Sequence, residues 1–143
     1  MNDIRLSVYD HILATGRVPL VSELADRTSL PSEDIARELR RLQNIHAFAL
    51  APASDEILMA HPFSAAPTSH VVHANGRNFW ANCAWDAIAI PSMLGVDAAI
   101  ETRCGDCGGA LTFRAVAGRA EPDEGVVHFS VPPRHFWRNV GFT

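Results

Sequence analysis

An apolar segment at residues 79–91, FWANCAWDAIAIP, carries a cysteine and an aspartate within this 143-residue chain. Asn82 is a preferred helix-capping residue type, Pro91 bends or restarts a helix, and Gly95 is a natural helix end, so the segment predicts a helix. Before it, Asn75-Gly76 lies between two apolar-rich runs and is a strong signal for a tight hairpin turn. The sequence therefore predicts one helix packed against a small sheet.

Three segments after this helix alternate like strands and are separated by glycine-containing turns. They are AAIETRC (98–104), ALTFRAVAG (110–118) and GVVHFSVP (125–132). Together with the hairpin they make an α+β unit, which we assign to residues 63–143. The segment HPFSAAPTSH (61–70) is rich in proline, serine and threonine, and is interpreted as the connection to an earlier unit.

The first sixty residues are typical of a winged-helix module. Three helices and then two short strands are predicted, in DIRLSVYDHILATG (3–16), LVSELADRTS (20–29), PSEDIARELRRLQNIHAF (31–48), AFALAP (47–52) and EILMAH (56–61). On the first helix Leu6, Tyr9, Ile12 and Leu13 share one face, which is expected to be buried. We assign a winged-helix-like module to residues 1–62, and the whole chain to the α+β class.

Charge and hydropathy limit the partners of the chain. The formal net charge is −4 at pH 7. Binding to the phosphates of nucleic acids relies on clustered Lys and Arg, so a protein that mainly coats nucleic acid is not expected. Arg37, Arg40 and Arg41 lie on the third predicted helix, but acidic residues share that helix, so DNA binding is not expected. The first residues, MNDIRLSVYD, show neither a signal peptide nor a membrane span. A cytoplasmic location without membrane association is expected.

Cys83 and Asp86 are the candidate catalytic residues. Residues three apart in a helix lie on the same face, so a thiol and a carboxylate can meet one bound atom. If Asn82 caps the helix, Cys83 lies in its first turn, where the helix dipole favours a thiolate. Asp86 can take the thiol proton and later deliver it. The alternative for Cys83 alone is a small core residue, and for Asp86 alone a stabiliser of the helix start.

Cys104 and Cys107 form a Cys-x-x-Cys pair followed by glycines, in CGDCGG. Such a pair is half of a four-ligand zinc site, and Cys83, His128 and His135 are the candidates for the other ligands. The alternative is a reduced turn between two strands. Three further histidines, at positions 61, 70 and 73, show no ligand spacing and are interpreted as surface or turn residues.

Three of these segments carry a resemblance to a known family. NCAWDAIAIPSMLG (82–95), IETRC (100–104) and GVVHFSVP (125–132) resemble the organomercurial (alkylmercury) lyases. The resemblance implies breakage of a carbon–mercury bond by protonolysis, in the service of mercury resistance, with mercury as substrate and no cofactor. It also implies that Cys83 is the mercury-binding thiol and that Asp86 accepts and donates the proton. Implied partners are a small organomercurial, and acceptor thiols or a mercuric reductase for the released ion.

The second mercury-binding thiol is not identified by this resemblance. The family places it after the region matching residues 131–143, and no cysteine follows Val131 here. Either the chain is truncated, which we favour, or Cys104 or Cys107 substitutes, or only mercury binding is kept. One thiolate activates the Hg–C bond less than two, so we expect binding through Cys83 with poor turnover. A winged-helix regulator or metal-binding protein that senses mercury or zinc through cysteines is the alternative function.

Overall fold

A computed structural model describes residues 3–141, so the outermost ends of the two predicted units, residues 1–2 and 142–143, lie outside the described residues. The helices and strands follow one another along the chain in this order: α1 (Ile4–Thr15), α2 (Val21–Thr28), α3 (Ser32–Asn44), β1 (Ala49–Leu50), β2 (Ile57–Ala60), β3 (Phe63–Ser64), β4 (Val71–Ala74), β5 (Arg77–Trp80), α4 (Ala84–Leu94), β6 (Ala98–Arg103), β7 (Ala110–Val116), β8 (Arg119–Glu121) and a 3-10 helix (Pro133–Arg138). No helix among the described residues is long and apolar enough to cross a membrane.

The strands form two antiparallel sheets. The first has the order β1-β2-β3, and the second has the order β5-β4-β6-β7-β8. Helix α4 contacts strands β4, β6 and β7 of the larger sheet. Strand β6 alternates buried and exposed residues along its whole length, as a strand with one covered face does. The α+β class is confirmed, and the N-terminal part contains three helices followed by a small sheet.

Helix α1 buries only part of the predicted face. Ile12 is buried and Tyr9 packs against the core, as expected, but Leu6 is 61% exposed and Leu13 is 42% exposed. Ile4 and Val8, outside the predicted face, are buried instead. The helix has two candidate apolar stripes, and packing against the other helices selects the one that includes Val8.

Gly16 ends the helix in a left-handed conformation, at φ 82°. A Cβ there would come 3.0 Å from the Asn78 carbonyl oxygen, so the glycine also allows close approach to β5.

The predicted hairpin and helix of the second unit are confirmed. Strands β4 and β5 pair through a two-residue turn in which Asn75 and Gly76 both have positive φ, as this turn type requires. Helix α4 contains Pro91 and ends at Gly95, which has φ 65°. Its N-cap, however, is Cys83, one residue later than predicted.

The prediction of a strand at residues 125–132 is wrong. These residues have no regular secondary structure, and the aromatic segment after them forms a 3-10 helix instead of a strand. The neighbouring position beside β7 is taken by β8, at Arg119–Glu121. Val126 is 92% exposed, so its apolar side chain has no sheet face to cover. Alternation alone does not make a strand when no partner strand supplies hydrogen bonds.

The N-terminal helices and the larger sheet share one hydrophobic cluster. It contains buried residues of α1, α2 and α3, together with residues of α4, β4 and β6. Phe63 lies at the junction, because its ring contacts those of Tyr9 (6.3 Å between centroids) and Phe79 (5.4 Å), and its backbone bridges Ala81. The predicted connection at 61–70 therefore includes buried β3. The division after residue 62 stays a prediction.

The arginines of α3 are paired with carboxylates. Each one has an acidic partner on the protein surface: Arg37 with Asp34 (2.7 Å), Arg40 with Asp55 (2.6 Å) and Arg41 with Glu38 (2.7 Å). Binding of a phosphate backbone would have to compete with these pairs. The absence of tight DNA binding stays a prediction, and the pairing gives it a physical reason.

Candidate functional site

Cys83 caps helix α4 with its own sulfur. The residue has extended backbone angles (φ −151°, ψ 179°), and its Sγ atom accepts a hydrogen bond from the Asp86 backbone N–H at 3.5 Å. Serine and aspartate caps satisfy the first helix N–H groups in the same way. Cys83 takes this position because β5 ends at Trp80 and the chain turns into α4 within three residues. The thiol is therefore fixed at the helix start.

Burial decides the protonation of Cys83. Desolvation raises the pKa of the thiol, and this effect outweighs the hydrogen bonds that the backbone N–H groups of Asp86 and Trp85 donate to the sulfur. The negative charge of Asp86 raises the pKa further. The helix start does favour a thiolate, as expected, but burial outweighs it, so the net expectation of a thiolate is not met. Cys83 therefore rests as a thiol.

Asp86 provides a carboxyl group next to that thiol. Burial raises its pKa, and hydrogen bonds from the Asn82 and Cys83 side chains only partly offset this effect. The structure thus brings the two predicted catalytic side chains into contact. Because the carboxyl pKa is raised, Asp86 is a stronger proton acceptor than a solvent-exposed aspartate.

His61 lies in a turn, as the sequence allows, but it is partly buried and close enough to Asp86 for the two charges to interact. Its Nδ1 atom is 3.5 Å from Asn82 Nδ2, and its carbonyl oxygen accepts a hydrogen bond from the Tyr9 hydroxyl at 2.8 Å. The ring of Trp137 covers it edge-on, at 5.3 Å between centroids. Burial lowers the pKa of His61, and its Nε2 atom is buried without a hydrogen-bond partner among residues 3–141. The imidazole is therefore held neutral.

His70 also affects the pKa of Asp86, although the sequence predicts it to be a surface or turn residue. Its Nδ1 atom lies 2.6 Å from the hydroxyl of Thr102, a buried residue near the end of β6. Burial lowers the pKa of His70, while the charge of Asp86 acts in the opposite direction. No spacing in the sequence reveals either histidine. The contact depends on the pairing of β4 with β6, which joins residues about thirty positions apart.

The third predicted histidine behaves as expected. His73 lies on the outer side of β4, where its ring contacts Asn78 (2.7 Å) and Glu101 (2.9 Å). It has no contact with Cys83 or Asp86 among the interactions of the described residues.

Cys104 and Cys107 lie in the turn between β6 and β7, apart from Cys83. Backbone N–H groups of Cys107 and Asp106 donate hydrogen bonds to the Cys104 sulfur and lower the pKa of its thiol. All three cysteines are free thiols. Within residues 3–141 no group of three or more His, Cys, Asp or Glu side chains is arranged to hold a metal ion. The predicted zinc site therefore lacks the further ligands that it needs, since His128 is exposed and His135 contacts Arg134.

Known proteins are similar to this chain in sequence and in fold. The sequence model of the MerB alkylmercury lyases matches residues 63–143, more than half of the chain. The fold is similar to that of the mercury-bound form of MerB2, with a TM-score of 0.62 and 20% identity over 86% of this chain. The matched region is 62% of the MerB2 chain, and no curated protein matches. Because the family model covers the whole of the predicted second unit and more than half of the chain, the chain belongs to the alkylmercury lyase family.

Proposed function

We propose that the chain cleaves carbon–mercury bonds by protonolysis, with Cys83 as the mercury-binding thiol and Asp86 as the proton carrier. The proposal rests on the position of the Cys83 thiol beside the Asp86 carboxyl at the start of α4, where the Asp86 backbone N–H donates to the sulfur at 3.5 Å and each side chain shifts the pKa of the other. Membership of the alkylmercury lyase family supports it. The likeness to a protein solved in mercury-bound form supports the fold on which this chemistry would take place.

The first step joins the sulfur to mercury. Mercury is a soft metal that prefers thiolate ligands, so an alkylmercury cation displaces the proton of the Cys83 thiol. The Asp86 carboxylate takes that proton, which yields Cys83–S–Hg–R and a neutral Asp86 carboxylic acid. The raised pKa of Asp86 favours this transfer, because it makes the carboxylate more basic.

The second step breaks the carbon–mercury bond. The Asp86 acid delivers its proton to the carbon, and the electron pair of the Hg–C bond forms the new C–H bond. The products are the hydrocarbon R–H, mercuric ion on the Cys83 sulfur and an ionised Asp86. The same carboxyl group thus serves first as base and then as acid, and the oxidation state of mercury does not change.

His61 and His70 keep the surroundings of Asp86 uncharged. Burial lowers the pKa of both rings, so neither forms a strong ion pair with the carboxylate at neutral pH. A cationic neighbour would hold Asp86 ionised and would oppose its uptake of the thiol proton. We therefore assign the two histidines a positioning role beside the proton carrier.

Repeated turnover requires further thiols. Cys104 and Cys107 are the other cysteines of the sequence, and no hydrogen bond joins either of them to Cys83 or Asp86 among the described residues. With Cys83 as the one thiolate on mercury, we expect a single slow turnover, followed by slow release of mercuric ion to an acceptor thiol or a mercuric reductase in the cytoplasm. The three N-terminal helices and β1-β2-β3 would serve as a winged-helix-like packing module.

Deuterium labelling tests the proposed reaction. The protein is mixed with methylmercury chloride in deuterated water, and the methane is analysed by gas chromatography with mass spectrometry. Methane with a single deuterium is expected from the unmodified chain. Cys83→Ser and Asp86→Ala should each abolish it, whereas Ser92→Ala, on the exposed side of the same helix, should not. Equal methane release from Cys83→Ser would overturn the proposal.

A further inference from the structure

The turn between β6 and β7 holds two thiols in a defined arrangement. Strands β6 and β7 pair as far as Arg103 and Ala110, and residues 104–109 connect them. The Cys104 N–H donates to the Gly109 carbonyl at 2.8 Å, and the Gly108 N–H donates to the Cys104 carbonyl at 2.9 Å. These bonds close the turn at both ends. The positions of the two cysteines are therefore set by the backbone.

The backbone of this turn surrounds the Cys104 sulfur. The N–H groups of Asp106 and Cys107 and the Cys107 side chain lie close enough to that sulfur to lower the pKa of its thiol. Gly108 has a φ of 67°, which favours glycine. A Cβ on Gly109 would lie 3.3 Å from the Cys107 sulfur, so glycine leaves space beside that atom.

The Arg103 side chain holds the turn from the strand side. Its guanidinium donates a hydrogen bond to the Gly108 carbonyl at 3.1 Å. Cys107 is exposed and Cys104 is half-buried, so both thiols are accessible from outside the protein. Zinc needs four ligands, and two sulfurs do not provide them. A softer metal ion, for which two thiolate ligands are sufficient, fits the two cysteine sulfurs of this turn.

The turn lies at the same end of the larger sheet as Cys83. Strand β4 pairs with β5 on one side and β6 on the other, with Val71 opposite both Trp80 and Glu101. Cys83 follows the end of β5, and Cys104 follows the end of β6. These strands are two positions apart in the sheet, which is about 10 Å at the usual strand spacing.

We propose that Cys104 and Cys107 form a second, bidentate thiolate site, which binds mercuric ion and receives it from Cys83 after carbon–mercury cleavage. Binding of inorganic mercuric ion is independent of the reaction at Cys83, whereas the transfer rests on the proposed function. In the transfer, the mercury–sulfur bond at Cys83 breaks and two mercury–sulfur bonds form. One of the two displaced protons returns to Cys83 and the other goes to solvent, without any change in oxidation state.

Binding is tested with mercuric chloride and reduced Cys83→Ser protein, in the presence of competing free cysteine. One mercuric ion per chain is expected, detected by the ultraviolet band of mercury–thiolate bonds. Serine at either Cys104 or Cys107 should weaken binding about a hundredfold, because the chelate is lost. Thr112→Ser, an exposed control in the same hairpin, should bind as tightly as the parent. Equal affinity in the single-thiol variants would overturn the proposal.

Transfer is tested by mapping the thiols of the unmodified chain after one turnover with methylmercury. Trypsin cuts after Arg77, Arg103 and Arg114, so Cys83 falls on one peptide and the two turn cysteines fall on the next. Iodoacetamide should label Cys83 and spare Cys104 and Cys107. Labelling of the turn cysteines with Cys83 protected would contradict transfer. If no methane forms while mercuric chloride still protects the turn, the proposed function fails and the second binding site stands.

Discussion

The Asp86 backbone N–H donates a hydrogen bond to the Cys83 sulfur at 3.5 Å, so the thiol that caps helix α4 also lies beside the carboxyl three residues later. A sulfur in this position replaces the serine, threonine or aspartate that usually caps a helix. The arrangement fixes the thiol without placing a positive side chain next to it. The proposed proton transfer between the two residues would then depend on their shared burial.

Replacing Asp86 by asparagine should stabilise the folded protein at pH 7. Burial raises the carboxyl pKa, so the ionised form is less favourable in the folded state than in the unfolded chain. This cost is absent below about pH 4, where the carboxyl is protonated in both states, and it grows as pH rises through the raised pKa. Urea unfolding at pH 7 should show a gain on the order of 1 kcal/mol for Asp86→Asn. A loss of stability at pH 7 would contradict the assigned burial.

Removing the Thr102 hydroxyl should destabilise the chain and slow carbon–mercury cleavage. Thr102→Val leaves His70 Nδ1 without its partner at 2.6 Å, a cost of about 1–3 kcal/mol. Freed from this contact, the His70 ring loses its fixed orientation beside Asp86, so the rate of methane release should fall while methylmercury still binds Cys83. Thr112→Val, on the exposed face of β7, is the control. Equal effects of the two substitutions would exclude a positioning role for His70.

Trp137 should set the pKa of His61. The indole covers the imidazole at 5.3 Å between ring centroids and stacks on His46 at 4.1 Å. Trp137→Ala exposes His61 to water, which favours the charged ring, so its pKa should rise towards the ordinary value of about 6.5. Proton NMR titration of the imidazole measures the shift. Trp85→Ala, which removes another exposed indole, should leave that titration unchanged.

The two predicted units should unfold together. Phe63→Ala opens a cavity between Tyr9 and Phe79, and is expected to cost about 3–5 kcal/mol. Circular dichroism reports mainly on the N-terminal helices, and fluorescence reports on the tryptophans of the second predicted unit. Because the two units share one hydrophobic cluster, both probes should show the same unfolding transition. Leu6→Ala, at a position 61% exposed, should have little effect. Two separated transitions would support independent domains.

The sequence was informative wherever local chemistry decides the structure. The Asn75-Gly76 turn, the end of α4 at Gly95 and the contact of Cys83 with Asp86 all follow from neighbouring residues. The buried face of α1 followed only in part, because tertiary packing chose between two apolar stripes.

The histidines of the site could not be found from the sequence. His70 meets Thr102 across 32 residues, and His61 lies 21 residues before Asn82. Strand pairing creates both contacts, and no local pattern encodes that pairing. The pKa of Cys83 could not be predicted from the sequence for the same reason. The effect of the helix start is local, but burial, which raises the pKa, depends on the whole fold.

Intact-mass analysis of Asp86→Asn after methylmercury addition separates mercury binding from cleavage of the carbon–mercury bond. The unmodified chain should first gain the mass of a methylmercury group and then lose the methyl group, while mercury stays on the protein. Asp86→Asn should gain the same mass and keep the methyl group, since Cys83 is intact and the proton donor is gone. Loss of the methyl group from Asp86→Asn at the rate of the unmodified chain would contradict the assignment of Asp86 as the proton carrier.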